Sequence, residues 1–461
     1  MNINPNTRDA YKLLHQGILA LSRAEQQGFR VDIEYCERMK KELTNRINDL
    51  ENEFYQTNFY KQWHHSFKGK VNIYSNPQLS AYLYKVKKIK PVKYTDTGLG
   101  SADEEALKDL NIPELNLILE MRRWRKARDT YLDAFSREQV NGFIHPFFNL
   151  HLARTFRSSS NSPNFQNIPK RDPEVRQIVR EALYPREGHQ LLEIDYGQLE
   201  VRIATAYHKD PTMIKYNTDA NADMHGDMAN QIFKINYNSE KTGHKLLRAA
   251  VKNGFVFPQF YGDYYVNCAE NMACKWGKLP HGKWENGQGI ELEDTYLSNH
   301  FISKGICSLN DFTAYIKQIE EYFWEKRFSV YSKWKKEWWR SYLKNGYVDM
   351  LTGFRCSGLM DQKDVINYPI QGSAFHCLLW SFIELDRIMQ KENWNTKLIG
   401  QIHDSVILDV HPNELDYVVA VAQDITTKKL SKEWDWINVP LEVEIEKYKK
   451  NENWGAKTTL I

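Results

Sequence analysis

"QIHDSVILDV", residues Gln401 to Val410, is apolar enough for a buried strand, with Ile402, Val406, Ile407, Leu408 and Val410. A histidine, an aspartate and a serine interrupt it at His403, Asp404 and Ser405. A carboxylate inside such a run is costly unless something neutralises it. What Asp404 meets therefore decides how this part of the chain is built.

A second stretch offers an answer. In "LLEIDYGQLEVRIATAYHKD", Leu191, Leu192 and Ile194 read as a buried strand that Asp195 ends. Leu199, Ile203 and Ala206 follow at helical spacing. A helix N-cap is the ordinary reading of an aspartate at such a junction. Beside Asp404 a second reading arises. Two carboxylates from separate strands can hold two magnesium ions roughly 4 Å apart, clamping the attacking and leaving oxygens of a phosphoryl transfer. The metal charge would then neutralise Asp404.

Three further stretches carry polar chemistry. In "RAAVKNGFVFPQFYG", Arg248 and Lys252 lie four apart on an expected helix, where like charges repel slightly. An anion between them, such as a nucleoside triphosphate, reverses that sign, and Phe257, Phe260 and Tyr261 could stack on a base. A surface helix with an aromatic core face is the plainer reading. "ARTFRSSSNSPNFQNIPKRDPEVR" and "INYPIQGSA" are rich in side chains able to bond phosphate, sugar or base edges. Each is by itself equally an ordinary polar loop.

The chain around them has 461 residues, is 42% hydrophobic and 13% aromatic, and so can build two or three subdomains. No run approaches the length of a membrane span. The start, "MNINPNTRDAYKLLHQG", has the form of neither a signal nor a transit peptide. The six cysteines lack zinc-ligand spacing and read as reduced thiols of a cytoplasmic protein. A net charge of +3 excludes neither nucleic acid nor any other partner. From Tyr35 to about Tyr55 a charged helix is expected, with Met39, Leu43, Ile47 and Leu50 as its stripe. A run of five lysines between Lys85 and Lys93 reads either as a solvated loop or as a phosphate-contacting arm. A second helix is expected from about Pro113 to Tyr131. Helices dominate again from about Glu240 to Ser341, and strands with helices return after that. The pattern is a helical arm, a mixed platform, a helical insertion and the platform resumed.

In this order, the stretches resemble the family A DNA polymerases. "DYGQLEVR" is similar to motif A, "RAAVKNGFVFPQFYG" to motif B and "QIHDSVILDV" to motif C. "TFRSSSNSPNFQNIP", "NGYVDMLTGFR", "NYPIQGSA" and "VPLEVEIEKYKKNENWGAK" extend the likeness, as do "AEQQGFRVD" and "TDTGLGSADEEAL" in the arm. The resemblance implies an α+β right hand: a mixed palm with an antiparallel sheet, helical fingers and a helical thumb. Its expected divisions are a palm-associated segment at 1–30, thumb at 31–135, palm at 136–240, fingers at 241–345 and palm again at 346–461. It implies a DNA-directed DNA polymerase extending a primer with dNTPs by two-metal nucleotidyl transfer. Asp195, Asp404 and the carbonyl of Tyr196 would hold two Mg2+ ions, with Mn2+ able to substitute. Arg248 and Lys252 would grip the triphosphate, Lys252 assisting the leaving pyrophosphate. Gln198, Phe257 and Tyr261 would complete the nucleotide site, and Glu200 would block a ribose 2′-hydroxyl. Arg157, Asn164, Gln166, Asn167, Asn367, Gln371 and His403 would touch the primer-template. A phenylalanine at the nucleotide-facing position of motif B goes with rejection of dideoxynucleotides. The expected partners are primer-template DNA, dNTPs and separate exonuclease or replisome proteins, with no membrane, for a monomer in a bacterial or phage-infected cytoplasm. The compact form and the abundance of Asn, Lys, Tyr and Ile point to a phage with an AT-rich genome.

The sequence departs from the family in three ways. The residue after Asp404 is Ser405 where the family usually has glutamate, so two aspartates would form a minimal site. Motif B holds one residue too many between Lys252 and Tyr261, and Pro258 lies in it. Proline removes a helix donor and clashes one turn back, so a bulge or kink that restores the phase of Tyr261 is expected there. Counting back from Tyr261 makes Phe257 the nucleotide-facing aromatic, and counting forward from Lys252 makes it Val256. Finally, the 3′–5′ exonuclease of the larger members has no expected counterpart. Asp32 and Glu34, an Asp-x-Glu pair, fall at a helix start where acidic residues are ordinary. Two other classes stay open: a catalytically weak or silent nucleic-acid-binding relative, and a single-subunit RNA polymerase, in which Glu200 would not be expected.

Overall fold

A computed structural model of the chain describes residues 6–95, 97–169 and 172–460. The first five residues of the N-terminal segment lie outside these. Helix α1 (Thr7–Gln27) starts at Asn6, whose side chain accepts from the backbone N–H of Arg8 and Asp9. It packs on the sheet and on the long C-terminal helix described below.

Helix α2 (Ile33–Gln56) is N-capped by Asp32, whose carboxylate takes the Tyr35 N–H at 2.9 Å. Leu43 and Ile47, four apart, are buried against α3 (Pro113–Arg125), while Met39 and Leu50 pack at the margin. Proline opens α3, where its missing N–H is not needed. The far end of this arm has its own core of Phe54, Trp63, Tyr82, Leu115 and Ile118. In the lysine run, Lys93 pairs with Asp103 and Glu105, and Lys85, Lys87, Lys88 and Lys90 are exposed.

Strand β1 (Gln190–Tyr196) runs one residue beyond Asp195. The N-cap position of the following helix α4 (Leu199–His208) is Gln198, in the left-handed region, so Asp195 is a strand residue and not a cap. Helices α5 (Met224–Phe233) and α6 (Thr242–Val251) build a second core with the segment up to Tyr331. It includes Phe255, Phe301, Phe312 and Phe323, and a small hairpin pairs Glu291–Leu292 with Thr295–Tyr296 inside this otherwise helical insertion. Helix α7 (Ser329–Asn345) returns to the platform, where the 31-residue α8 (Gln362–Glu392) is buried along most of its length despite Pro369.

Strands β2 (Lys397–Ile402), β3 (Ser405–Val410), β4 (Val443–Lys447) and β5 (Thr459–Leu460) complete a five-stranded antiparallel sheet in the order β2-β3-β1-β4-β5. Asp404 is not in the interior of a strand, as its apolar neighbours suggest. Ile402 pairs with Ser405, leaving His403 and Asp404 as a two-residue hairpin turn with His403 at φ 51°. Among the described residues no helix is long and apolar enough to cross a membrane.

Candidate active site

The central register brings the two aspartates together. Ser405 pairs with Asp195 across β3 and β1, so Asp404 stands one residue beyond the strand end. The Tyr196 N–H donates to the Asp404 carbonyl at 3.2 Å, tying that turn to β1. The Tyr196 side chain points away into the core, its hydroxyl near Ser381 (2.8 Å) and the Thr426 carbonyl (3.2 Å). Any ligand it offered at the sheet end would be its backbone.

Close backbone contact sets the neighbouring loops. A side chain at Gly400 would meet the Phe165 ring at 2.8 Å, so glycine lets the "NFQNIP" loop press on β2. There Gln166 donates to the Gln401 side chain (2.7 Å) and accepts from the His403 N–H (2.8 Å), bracing the turn. A side chain at Gly372 would come within 2.4 Å of the Thr155 carbonyl, so the Arg157 loop lies directly on α8.

Arg157 lies between acids of two elements. It donates to Glu200 at 2.8 Å and lies 3.7 Å from Asp404. The Tyr261 hydroxyl donates to the other oxygen of Glu200 at 2.7 Å. Burial, and then the Glu200 charge, raise the Tyr261 pKa, which keeps it a donor. Gln198, Glu200, Phe257, Tyr261, Asn367, Gln371 and Asp404 line one cleft.

Motif B accommodates its extra residue as a π-turn over Lys252–Val256, closed by the Phe257 N–H on the Lys252 carbonyl. A π-turn adds one residue without ending a helix. Pro258 then falls in the first turn of the short helix Phe257–Phe260. Phe257 and Tyr261 face the cleft, whereas Val256 is fully buried in the insertion's core. The Lys252 ammonium lies 5.4 Å from the Phe257 ring centre.

Arg248 stands outside the cleft, held by Asp223 through two hydrogen bonds of 2.8 Å. That hydrogen bonding raises the Arg248 pKa, and it holds Asp223 below the usual range although burial works against this. His225 faces the edge of Phe257 at 5.8 Å. Burial, then Arg248 and Lys252, push its pKa down to about 4. Asp223 and His225 do not stand out in the sequence. Their one signal was an Asp-x-His at the start of a helix ahead of motif B, too short a pattern to stand out.

Two expected contacts lie away from the cleft. Asn164 is exposed and accepts from Ser160, and the Asn167 carbonyl accepts from Tyr131 at the base of the arm. Among the described residues no three His, Cys, Asp or Glu side chains form a metal-binding group. Asp195 and Asp404 nevertheless suit a hard cation such as magnesium, which is bound through one or two carboxylates and completed by water and substrate phosphate. Both are only partly buried at adjoining strand ends.

A model of DNA polymerase family A matches residues 33–456. DNA polymerase I of Chloroflexus aurantiacus is 26% identical across the whole chain, which covers 44% of that protein. DNA polymerase I of Bacillus subtilis is 25% identical over 92% of the chain, again covering 44% of the relative. The DNA polymerase of Bacillus phage SP01 is 24% identical over 80% of the chain and 38% of its own length. The chain thus spans less than half the length of these relatives. Among solved structures, the polymerase domain of Pol1 from M. smegmatis, in complex with DNA primer-template and dNTP, matches with a TM-score of 0.72. That match covers 95% of this chain and 70% of the other at 23% identity, a likeness of fold.

Proposed function

The chain belongs to DNA polymerase family A, and from that membership we propose that it extends a DNA primer 5′ to 3′ on a template with dNTPs. The observation that carries the reading is the pair Asp195 and Asp404, brought together by strand register at the mouth of a cleft lined by Glu200, Phe257 and Tyr261. The arm at 31–135 is then the thumb, the sheet and α8 the palm, and 241–345 the fingers.

Asp195, Asp404 and the Tyr196 carbonyl would hold two magnesium ions, which when bound neutralise the charge of the transferring phosphoryl group. The chain's own residues do the positioning. Lys252 and Arg248 hold the triphosphate, Arg248 exchanging Asp223 for phosphate oxygens. Phe257 offers its face to the base and sugar. Glu200, fixed by Arg157 and Tyr261, presents a rigid wall to a 2′-hydroxyl. Arg157, Gln166, Asn367, Gln371 and His403 surround the primer end, with Asn164 and Asn167 further along the duplex. Such electrostatic positioning is most of what phosphoryl transfer requires.

The test is primer extension by the purified chain with magnesium and either dNTPs or rNTPs. Extension with dNTPs alone is expected. DNA binding without extension would indicate a silent relative, and efficient rNTP use a single-subunit RNA polymerase. No 3′ excision is expected from these residues, since Asp32 is engaged as a helix cap.

A further inference from the structure

Ser405 stands where the resemblance leads one to expect a glutamate. It is fully buried. Its hydroxyl lies 3.0 Å from Glu193 Oε1 and 2.9 Å from the Ile402 carbonyl. Glu193 is on β1, two residues before Asp195, so strand alternation puts both side chains on one face of the sheet. Ser405, as the register partner of Asp195, shares that face. A carboxylate therefore lies on the face of Asp195 and reaches the turn of Asp404 through Ser405.

Glu193 is 6% exposed, a costly place for a carboxylate. Its second oxygen accepts from Trp454 Nε1 at 3.0 Å, and Arg180 is 3.6 Å away, stacked on the Trp454 ring. These hydrogen bonds do not call for a charge. A glutamine could accept from Trp454 through its oxygen and donate to Ser405 through its amide, the serine hydroxyl turning to Ile402. Arg180 offsets the negative charge from one side, and Ser405 ties the same carboxylate to the Asp404 turn.

We propose that Glu193 and Ser405 form a reciprocal pair, the acidic group of this corner being supplied by β1 and not by the residue after Asp404. Glu193 is then a positioning residue. Through Ser405 it braces the Asp404 turn, and its charge strengthens the hold of Asp195 and Asp404 on a divalent cation. The inference rests on the polymerase reading of those two aspartates.

The test uses the full chain and Mn2+ as probe, titrated by electron paramagnetic resonance without nucleotide, alongside the magnesium dependence of primer extension and thermal melting. Glu193→Gln should weaken Mn2+ binding on the order of tenfold or more, the usual scale for a group supporting a metal ligand. It should raise the magnesium needed for half-maximal extension in parallel; melting should fall as well, because Arg180 loses its charged partner, so the Mn2+ affinity is read on the folded chain. Ser405→Glu alone sets two carboxylates in one pocket and should melt early. The double variant Glu193→Ser with Ser405→Glu should return Mn2+ affinity to within about threefold of the parent, on the reciprocal-pair logic of double-mutant cycles. Unaltered Mn2+ affinity in Glu193→Gln, or a folded double variant no better than it, would overturn the pairing. The isosteric glutamine decides the matter if the swapped pair does not fold. A parent chain that binds Mn2+ but extends no primer would overturn the polymerase reading, and the Mn2+ comparison would still judge the pair.

Discussion

Two aspartates mark strand β3, Asp404 in the turn just before it and Asp409 near its far end, and they have opposite surroundings. Asp409 is 2% exposed and permanently compensated. Arg186 gives it a guanidinium hydrogen bond of 2.8 Å and its own N–H at 3.0 Å, and His189 lies at 3.0 Å. Asp404 has a third of its side chain exposed and shares Arg157 with Glu200 at a looser 3.7 Å. At the inner end the charge is closed within the fold. At the outer end it is left available to something that arrives. The same residue type is thus closed within the fold inside β3 and left partly open in the turn beside it.

The sharpest way to break this contrast is Asp404→Ala. It should lower the rate of nucleotide addition roughly a thousandfold, about 4 kcal/mol of transition-state stabilisation, while primer-template binding and melting temperature stay near the parent's. Near-normal extension would remove Asp404 from the chemistry. Asp409→Ala should do the reverse. Removing one partner of a buried pair costs about 3–5 kcal/mol of stability, readable by urea unfolding, and the activity of the folded fraction should change little. A large rate loss without destabilisation would show that both ends serve catalysis.

Lys252→Ala tests whether the outer end extends into the helical insertion. A charge-assisted contact of about 2–3 kcal/mol should be lost from incorporation, with primer-template affinity and its salt slope unchanged. A variant that incorporates normally but releases DNA would move Lys252 onto the duplex. The stability arm of the comparison is best measured at neutral pH, because burial lowers the pKa of both His208 and His376 to about 3. A histidine depressed on folding stabilises the protein above its unfolded pKa, near 6.5, and that contribution is lost as pH falls towards the folded value. Between pH 7 and 5 each should cost about 2 kcal/mol, and His376→Gln should flatten the fall; an unchanged slope would mean that other groups carry it.

The smallest effect concerns sugar choice. Phe257→Tyr should relax rejection of dideoxynucleotides on the order of tenfold, the worth of about one hydrogen bond. If Val256→Tyr does this instead, the residue facing the nucleotide in solution is not the one facing the cleft in the structure.

Much of this was legible beforehand, for physical reasons particular to each place. The period of Leu43 and Ile47 requires a helix with one buried face, and the extra residue beside Pro258 requires a widened turn. The position of Asp404 was less legible. A two-residue hairpin is usually marked by glycine or asparagine, the residues that accept positive φ. Here His403 takes that conformation, as histidine does more readily than most, and the stretch reads as one strand where there are two.

The sequence by itself determined the main helices, the order of the motifs and the family, and singled out Asp195 and Asp404 as candidates, because periodicity and ordered motifs are local properties of a chain. Only the tertiary structure decided the partners: Glu193 with Ser405, Asp223 with Arg248, and Arg157 between Glu200 and Asp404. Each joins side chains from separate elements, whose meeting depends on strand register and on close backbone approach at Gly400 and Gly372. No local pattern encodes such a meeting, since the contact exists only once the sheet has paired and the helices have packed against it.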